Sequence, residues 1–100
     1  MSSPKSRLIL SPEARKDLTS ILRYTGEQWG LDQLQVYRAK LTDALQLIEQ
    51  NPRLGHTSPD LPDTHRLFFV GAHVIIYRLR DDTTQIVRIL HQRMSIPRHL

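Results

Sequence analysis

Arginine and histidine are the residues most able to do chemistry in this sequence, and they are concentrated in its second half. Residues 51–100 contain seven arginines and all five histidines, with no lysine and no glutamate. Arginine binds carboxylates and phosphates through a planar array of donors, and histidine can carry protons near neutral pH. The pattern predicts a surface that binds an anionic macromolecule, either a nucleic-acid backbone or an acidic protein segment.

The basic residues expected on or near one predicted sheet form a single candidate cluster. If the cluster met a phosphodiester, arginine would stabilise negative charge and histidine would transfer protons. If an acidic partner segment covered it, the cluster would act only as a docking surface. Its members are Arg66, Arg78, Arg80, Arg88, Arg93, Arg98, His65, His73, His91 and His99.

Other chemistries find little support in the sequence. The histidines have no metal-ligand spacing, so we predict no metal site and no cofactor. The absence of cysteine excludes thiol nucleophiles and disulfides. No Gly-x-Ser-x-Gly element is present, and the four glycines stand singly, so none forms a phosphate-binding loop. The adjacent Asp81 and Asp82 fall in a predicted turn, where aspartate is favoured for local hydrogen bonding.

Size and composition are typical of one small globular domain. We predict a single domain over residues 1–100, with a net charge of +4 and 39% hydrophobic residues. No apolar run approaches the ~20 residues of a membrane span, so we expect no membrane association. The lack of cysteine is compatible with a reducing compartment, and we expect a cytoplasmic protein.

The first half of the chain predicts a strand followed by two helices. Leu8–Leu10 is a short apolar run, and Ser11-Pro12 is a typical helix start, with Ser as N-cap and Pro at the first helical position. Gly30 should end this helix, and a second helix should run from Leu31 to Asn51. With so short a connection, the two helices should form an antiparallel hairpin.

The second half predicts a three-stranded antiparallel meander after a proline-rich loop. The strands are expected over Arg66–Val70, His73–Arg80 and Gln85–His91, followed by a short tail over Ser95–Leu100. The fold class is therefore α+β in the order βααβββ, with the helical hairpin packed on a mostly antiparallel sheet. Strict alternation in the third strand sets Val87, Ile89 and His91 opposite to Ile86, Arg88 and Leu90. Periodicity further predicts that Trp29 and Tyr77 are core aromatics.

Four stretches of this chain resemble the toxins of type II toxin–antitoxin systems in the ParE/RelE superfamily. They are Leu8–Leu18, Asn51–Gly55, His73–Tyr77 and Ile86–Met94, and the last two are the most specific. The resemblance covers nearly the whole chain and is strongest to the ParE branch. It implies a plasmid-stabilisation toxin that inhibits DNA gyrase and is neutralised by a cognate antitoxin.

The RelE branch of the same superfamily implies a ribosome-dependent nuclease that cuts messenger RNA, and this alternative stays open. Of the residues that branch uses, only the late arginine is clearly matched, by Arg93. Asp63 and His65 stand in place of its basic pair, and His73 replaces an arginine. Gyrase inhibition is therefore preferred, with no catalytic residue. If the protein were a nuclease, the catalytic set would be His73, His91, Arg93 and His99. A third alternative is a protein that only binds its antitoxin and is not toxic.

Two binding surfaces are predicted with the resemblance. The target surface comprises Arg88, His91, Arg93, Arg98 and the tail. The antitoxin surface comprises Arg53, Arg66 and Arg78, where an acidic amphipathic segment would lie along the hairpin and the sheet edge to give a hetero-oligomer.

Overall fold

The computed structural model describes residues 7–94 and residue 96, and confirms the α+β architecture. The elements are β1 (Arg7–Leu10), α1 (Pro12–Trp29), α2 (Leu31–Gln50), β2 (His65–Val70), β3 (His73–Arg80) and β4 (Thr83–His91). The tail residues Ser95 and 97–100, which include Arg98 and His99, lie outside the described residues.

Helix α1 begins and ends where its sequence signals predict. The Ser11 hydroxyl accepts a hydrogen bond from the Ala14 N–H at 3.0 Å, and Pro12 occupies the first turn. Gly30 separates the two helices with φ +91°, a conformation that favours glycine. Its N–H closes α1 by donating to the Gly26 carbonyl. The hairpin is thus fixed by local chemistry at both ends of α1.

The sheet has the order β1-β4-β3-β2, with β1 as a parallel edge strand. Strands β2, β3 and β4 form the predicted antiparallel meander, and β1 pairs with the first half of β4 from Arg7↔Thr83 to Leu10↔Ile86. Beyond Ile86 the edge of β4 is covered by α1, because Ser11 Oγ donates to the Val87 carbonyl at 2.7 Å. The start of α1 is therefore attached to β4.

The alternation expected for β4 is wrong, because a bulge interrupts it. The register shifts so that Ile76 faces Arg88 while Tyr77 faces Ile86, which leaves Val87 as the extra residue. Ile86 and Ile89 consequently lie on the same face of the sheet, under the helices. A bulge adds one residue to a strand without changing its composition, so period-two patterning does not detect it.

Apolar side chains pack on both faces of the sheet. The helix-covered face joins Ala14, Ala44 and Ile48 to the strand residues Ile75 and Tyr77. The opposite face, called here the open face, carries a second cluster in which Leu61 from the loop and Ile96 pack on the sheet. The strand members of this cluster are Leu67, Val74, Ile76, Val87 and Leu90.

The two aromatic residues assigned to the core behave differently. Tyr77 is fully buried, as predicted. Its hydroxyl donates to the Pro52 carbonyl at 2.7 Å and accepts from the Gly55 N–H at 2.8 Å, which ties the loop to the sheet. Trp29 is 71% exposed, so its core assignment is wrong. It is the last residue of α1, at the turn between the two helices, where the rest of the described fold leaves most of its surface uncovered.

Candidate functional site

An open groove lies between the helical hairpin and the end of the sheet where β3 begins and β4 ends. Its volume is about 600 Å³, within the size range of small-ligand sites. Helix α1 contributes Tyr24, Thr25 and Trp29, helix α2 contributes Gln33 and Tyr37, and the sheet contributes Ala72, His73 and His91. Tyr24 and Trp29 are 62% and 71% exposed, so both rings are available to a ligand.

His73 and His91 form a cross-strand pair at the base of this groove. They are directly opposed in the β3–β4 ladder, and their rings are nearly perpendicular, with centroids 5.4 Å apart. Burial lowers the pKa of His73, and the neighbouring His91 lowers it further. The pair therefore favours a neutral His73.

Tyr37 anchors His73 to helix α2. Its hydroxyl lies 2.5 Å from Nδ1 of His73 and accepts the Ala72 N–H at 3.2 Å. Burial raises the pKa of Tyr37, and the hydrogen bond from Ala72 offsets part of that rise. Gly71, at φ +55°, makes this approach possible, because a Cβ there would lie 2.7 Å from the Tyr37 ring.

His91 is fixed by the turn that follows β4. Its Nδ1 accepts the Arg93 N–H at 3.1 Å, so a neutral His91 carries its proton on Nε2. The Gln92 side chain donates to the Gly71 carbonyl at 2.8 Å, which joins this turn to the β2–β3 turn. Arg93 is exposed immediately beyond the pair. The structure thus brings together three of the predicted site residues: His73, His91 and Arg93.

Arg88, predicted to bind a target, is held by an ion pair within the fold. Its Nε and Nη2 donate to the two carboxylate oxygens of Asp17 at 2.8 and 2.9 Å. The hydrogen bond from Asp17 is the main reason that the pKa of Arg88 is raised. Both side chains are largely buried, so much of the Arg88 charge is neutralised by α1.

The three arginines of the predicted antitoxin surface do not share one face. Arg66 lies opposite Tyr77 on the helix-covered face, where it donates to the carbonyls of Gly55 at 2.8 Å and Arg53 at 3.4 Å. Arg78 lies opposite His65 on the open face, and its Nε donates to Gln85 at 2.7 Å. Burial and then the Arg78 charge lower the pKa of His65.

Comparison with known proteins assigns the chain to a family. Residues 8–96 match the family model described as the ParE toxin of type II toxin-antitoxin system, parDE. The chain belongs to the ParE toxin family. It is 36% identical over 96 residues to Toxin ParE1 of Mycobacterium tuberculosis, covering 95% of this chain and 98% of that protein. It is 33% identical over 91 residues to Toxin ParE1 of Caulobacter vibrioides, covering 91% and 94%.

A solved structure of a chromosomal ParDE toxin–antitoxin system from P. aeruginosa has the same fold. It superimposes with a TM-score of 0.75 over 89% of this chain and 98% of that chain, at 18% sequence identity. At that identity the likeness supports the fold alone. The ParE assignment therefore rests on the sequence matches, and the fold agrees with it.

Of the residues compared with the RelE branch, His73 and Arg93 both adjoin His91, whereas Asp63 and His65 lie elsewhere in this ParE-type fold. His65 lies on the open face, across the sheet from His73. Asp63 is an exposed loop residue, and His99 lies outside the described residues. Among the described residues, the groove lining includes the imidazoles of His73 and His91 and no arginine or lysine.

The aromatic lining of the groove was not predicted as part of a site. Tyr24, Gln33 and Tyr37 belong to no sequence motif that would mark them as site residues. The sequence Trp29-Gly30-Leu31 was a usable signal for the exposed ring of Trp29. Large apolar residues on both sides of a tight connection between helices lie at the tip of the hairpin, where few other residues can cover them. Within residues 7–94 and 96 there is no group of three metal-ligating side chains and no helix able to cross a membrane.

Proposed function

We propose that this ParE-type toxin acts in the cytoplasm by inhibiting DNA gyrase and is neutralised by an acidic cognate antitoxin. The observation that supports a binding role is the distribution of positive charge. Asp17 neutralises Arg88, and Arg66 donates to loop carbonyls, while Arg93 is exposed and its backbone N–H binds His91. Phosphodiester cleavage needs several cations placed around one phosphate, and loss of one such donor typically costs about 10²–10³ in rate.

The target surface in this proposal is centred on His91 and Arg93. Both lie at the end of β4, where the tail carrying Arg98 begins. Arg88 supports this surface from inside the fold, because its partner Asp17 also accepts the Ile89 N–H at 2.9 Å and so fixes the strand.

The test is supercoiling of relaxed plasmid by purified gyrase. Added toxin should block supercoiling or accumulate cleaved complexes, and Arg93→Ala should weaken that effect at least tenfold. Arg23→Ala, at an exposed arginine on α1, is the matched control and should inhibit like the unmodified protein. Normal supercoiling at a large excess of toxin would contradict the proposal.

One observation favours the nuclease alternative. His73 and His91 are directly opposed, with ring centroids 5.4 Å apart, and Arg93 follows two residues later, so two groups able to transfer protons lie together near an arginine. Messenger RNA cleavage in a translating extract, lost in His73→Ala, with plasmid topology unchanged, would support this function over gyrase inhibition.

Antitoxin binding is proposed to bring an acidic segment around the edge strand β2. Arg53 and Arg66 flank one side of that edge, and Arg78 lies on the other face beside His65, so a segment reaching all three must wrap around the end of β2. The resulting complex is a hetero-oligomer. Arg53→Glu and Arg78→Glu should each weaken antitoxin binding in a titration, and unchanged affinity in both would remove this surface.

A further inference from the structure

We propose that the groove between the helical hairpin and the His73–His91 pair binds a nucleobase. This inference goes beyond gyrase inhibition and does not depend on it. The ligand class is a planar heteroaromatic ring with a phosphate attached, supplied either by a free nucleotide or by an exposed base in a single-stranded nucleic acid.

The lining of the groove favours a flat, polar-edged ligand over a protein helix. Five of its eight described lining residues carry aromatic rings, which are Tyr24, Trp29, Tyr37, His73 and His91. Amphipathic helices bind in grooves that accept their apolar face, and none of the described lining residues is Leu, Ile, Val or Met. Aromatic side chains, in contrast, stack on any nucleobase.

Two of the rings leave most of their surface open to a ligand. Tyr24 and Trp29 are on α1, five residues apart, and both are mostly exposed although they line the groove. A buried aromatic pair would gain its energy from the core, whereas this pair leaves its ring surface in water. Covering that surface with a base would recover the free energy of burial.

The floor of the groove offers hydrogen-bonding atoms to the edge of a base. The Nδ1 atoms of His73 and His91 are already bound to Tyr37 and to the Arg93 N–H, so the Nε2 atom is the remaining nitrogen of each ring. On His91 that nitrogen is a donor in the neutral form. The Gln33 amide adds a donor and an acceptor from α2.

A nucleotide phosphate requires positive charge, and two cationic residues lie within three positions of lining residues in the chain. Arg93 is exposed at the β4 end, and Lys40 is exposed one helical turn beyond Tyr37 on α2. The described lining residues include no aspartate or glutamate. A single-stranded nucleic-acid site combines aromatic rings that stack on bases with cations that contact the phosphates.

The test uses Trp29, the only tryptophan of the chain, as a fluorescence reporter. Unmodified protein is titrated with a nucleoside monophosphate, with single-stranded DNA and RNA octamers, and with an abasic octamer that keeps the phosphates. Base-containing ligands should quench Trp29, and the abasic octamer should bind at least fivefold more weakly. If an octamer binds more tightly than the monophosphate, the base comes from a single strand. If the two affinities are equal, the base comes from a free nucleotide.

Two variants test whether the ring of Tyr24 contributes to binding. Tyr24→Leu keeps an apolar side chain but loses the ring, and should weaken binding at least about fivefold, the lower end of the contribution of one stacked base. Val36→Ala, at a comparably exposed apolar residue outside the lining, should bind normally. Equal binding of the abasic octamer, or unchanged binding by Tyr24→Leu, overturns the proposal. So does Trp29 emission that responds to an acidic antitoxin but to neither nucleotide nor strand, since the groove would then be a protein-docking site.

Discussion

Asp17 on α1 and Arg88 on β4 are joined by two hydrogen bonds, at 2.8 and 2.9 Å, in the side-on geometry that a carboxylate and a guanidinium favour. The same Asp17 carboxylate accepts the Ile89 N–H at 2.9 Å. It therefore satisfies the backbone of β4 where β1 no longer pairs with it. One side chain thus closes the strand edge and neutralises an arginine that would otherwise add to the basic surface.

We predict that Asp17→Asn lowers the free energy of unfolding by about 2 kcal/mol, because it removes the charged acceptor of two Arg88 hydrogen bonds and of the Ile89 N–H. Urea denaturation measures this change. In a double-mutant cycle, Arg88→Leu should make the second substitution much less costly. Asp43→Asn, at an exposed acid on α2, should change stability by less than about 0.5 kcal/mol. Equal effects at positions 17 and 43 would contradict the structural role of the pair.

Stability should fall as the solution becomes acidic, partly through His73 and His65. Both have pKa values lowered from 6.5, chiefly by burial. The unfolded chain therefore binds protons more readily than the folded one, so their contribution is complete above pH 6.5 and is lost as the pH falls below it. As the pH is lowered from 7.5 to 5.5, the denaturation midpoint should drop less in a His65→Gln/His73→Gln variant than in the unmodified protein. His56→Gln, at an exposed histidine, is the control, and an equally steep drop in all three proteins would refute the assignment.

Gly55→Ala should destabilise the fold by about 2 kcal/mol or more. A Cβ at this position would lie 2.5 Å from the Tyr77 hydroxyl and 2.7 Å from the Leu67 carbonyl, so the loop must move and lose its hydrogen bond to Tyr77. Gly26→Ala is the informative comparison, because its Cβ meets only the flexible end of Leu34 and alanine favours a helix. Thermal unfolding should separate the two variants clearly, and similar melting temperatures would show that the loop yields easily.

The elements of this fold were predictable because local signals mark their ends. Ser11-Pro12 and Gly30 fix α1, Asn51-Pro52 ends α2, and the turn at Gly71-Ala72 separates two β-branched runs. Each signal acts within a few residues of the chain. The parallel pairing of β1 with β4 and the bulge at Val87 depend on contacts between distant parts of the chain, so no local signal predicts them.

The candidate site was predicted only in part, for the same reason. His73, His91 and Arg93 are together because two strands and one turn place them there, and the strand pattern was readable. Whether an arginine is free depends on a distant partner: Asp17 is 71 positions from Arg88 in the chain. Trp29 fits the helical period of apolar residues but is exposed, because periodicity does not show whether the rest of the fold covers the end of a helix.

Truncation of the tail should separate toxicity from stability. Removal of residues 97–100 should reduce growth arrest, since it deletes Arg98 from the proposed target surface, while it keeps Ile96, which packs on the open-face cluster. Removal of residues 95–100 also takes away Ile96 and should cost about 1 kcal/mol more, as its partial burial is lost. Antitoxin affinity should be retained in both truncated proteins, because Arg53 and Arg78 are intact.

Ile96→Ala in the full chain is the control, and it is expected to lose stability but keep toxicity. Growth arrest by the chain that lacks residues 97–100, at the level of the full protein, would exclude the tail from target binding.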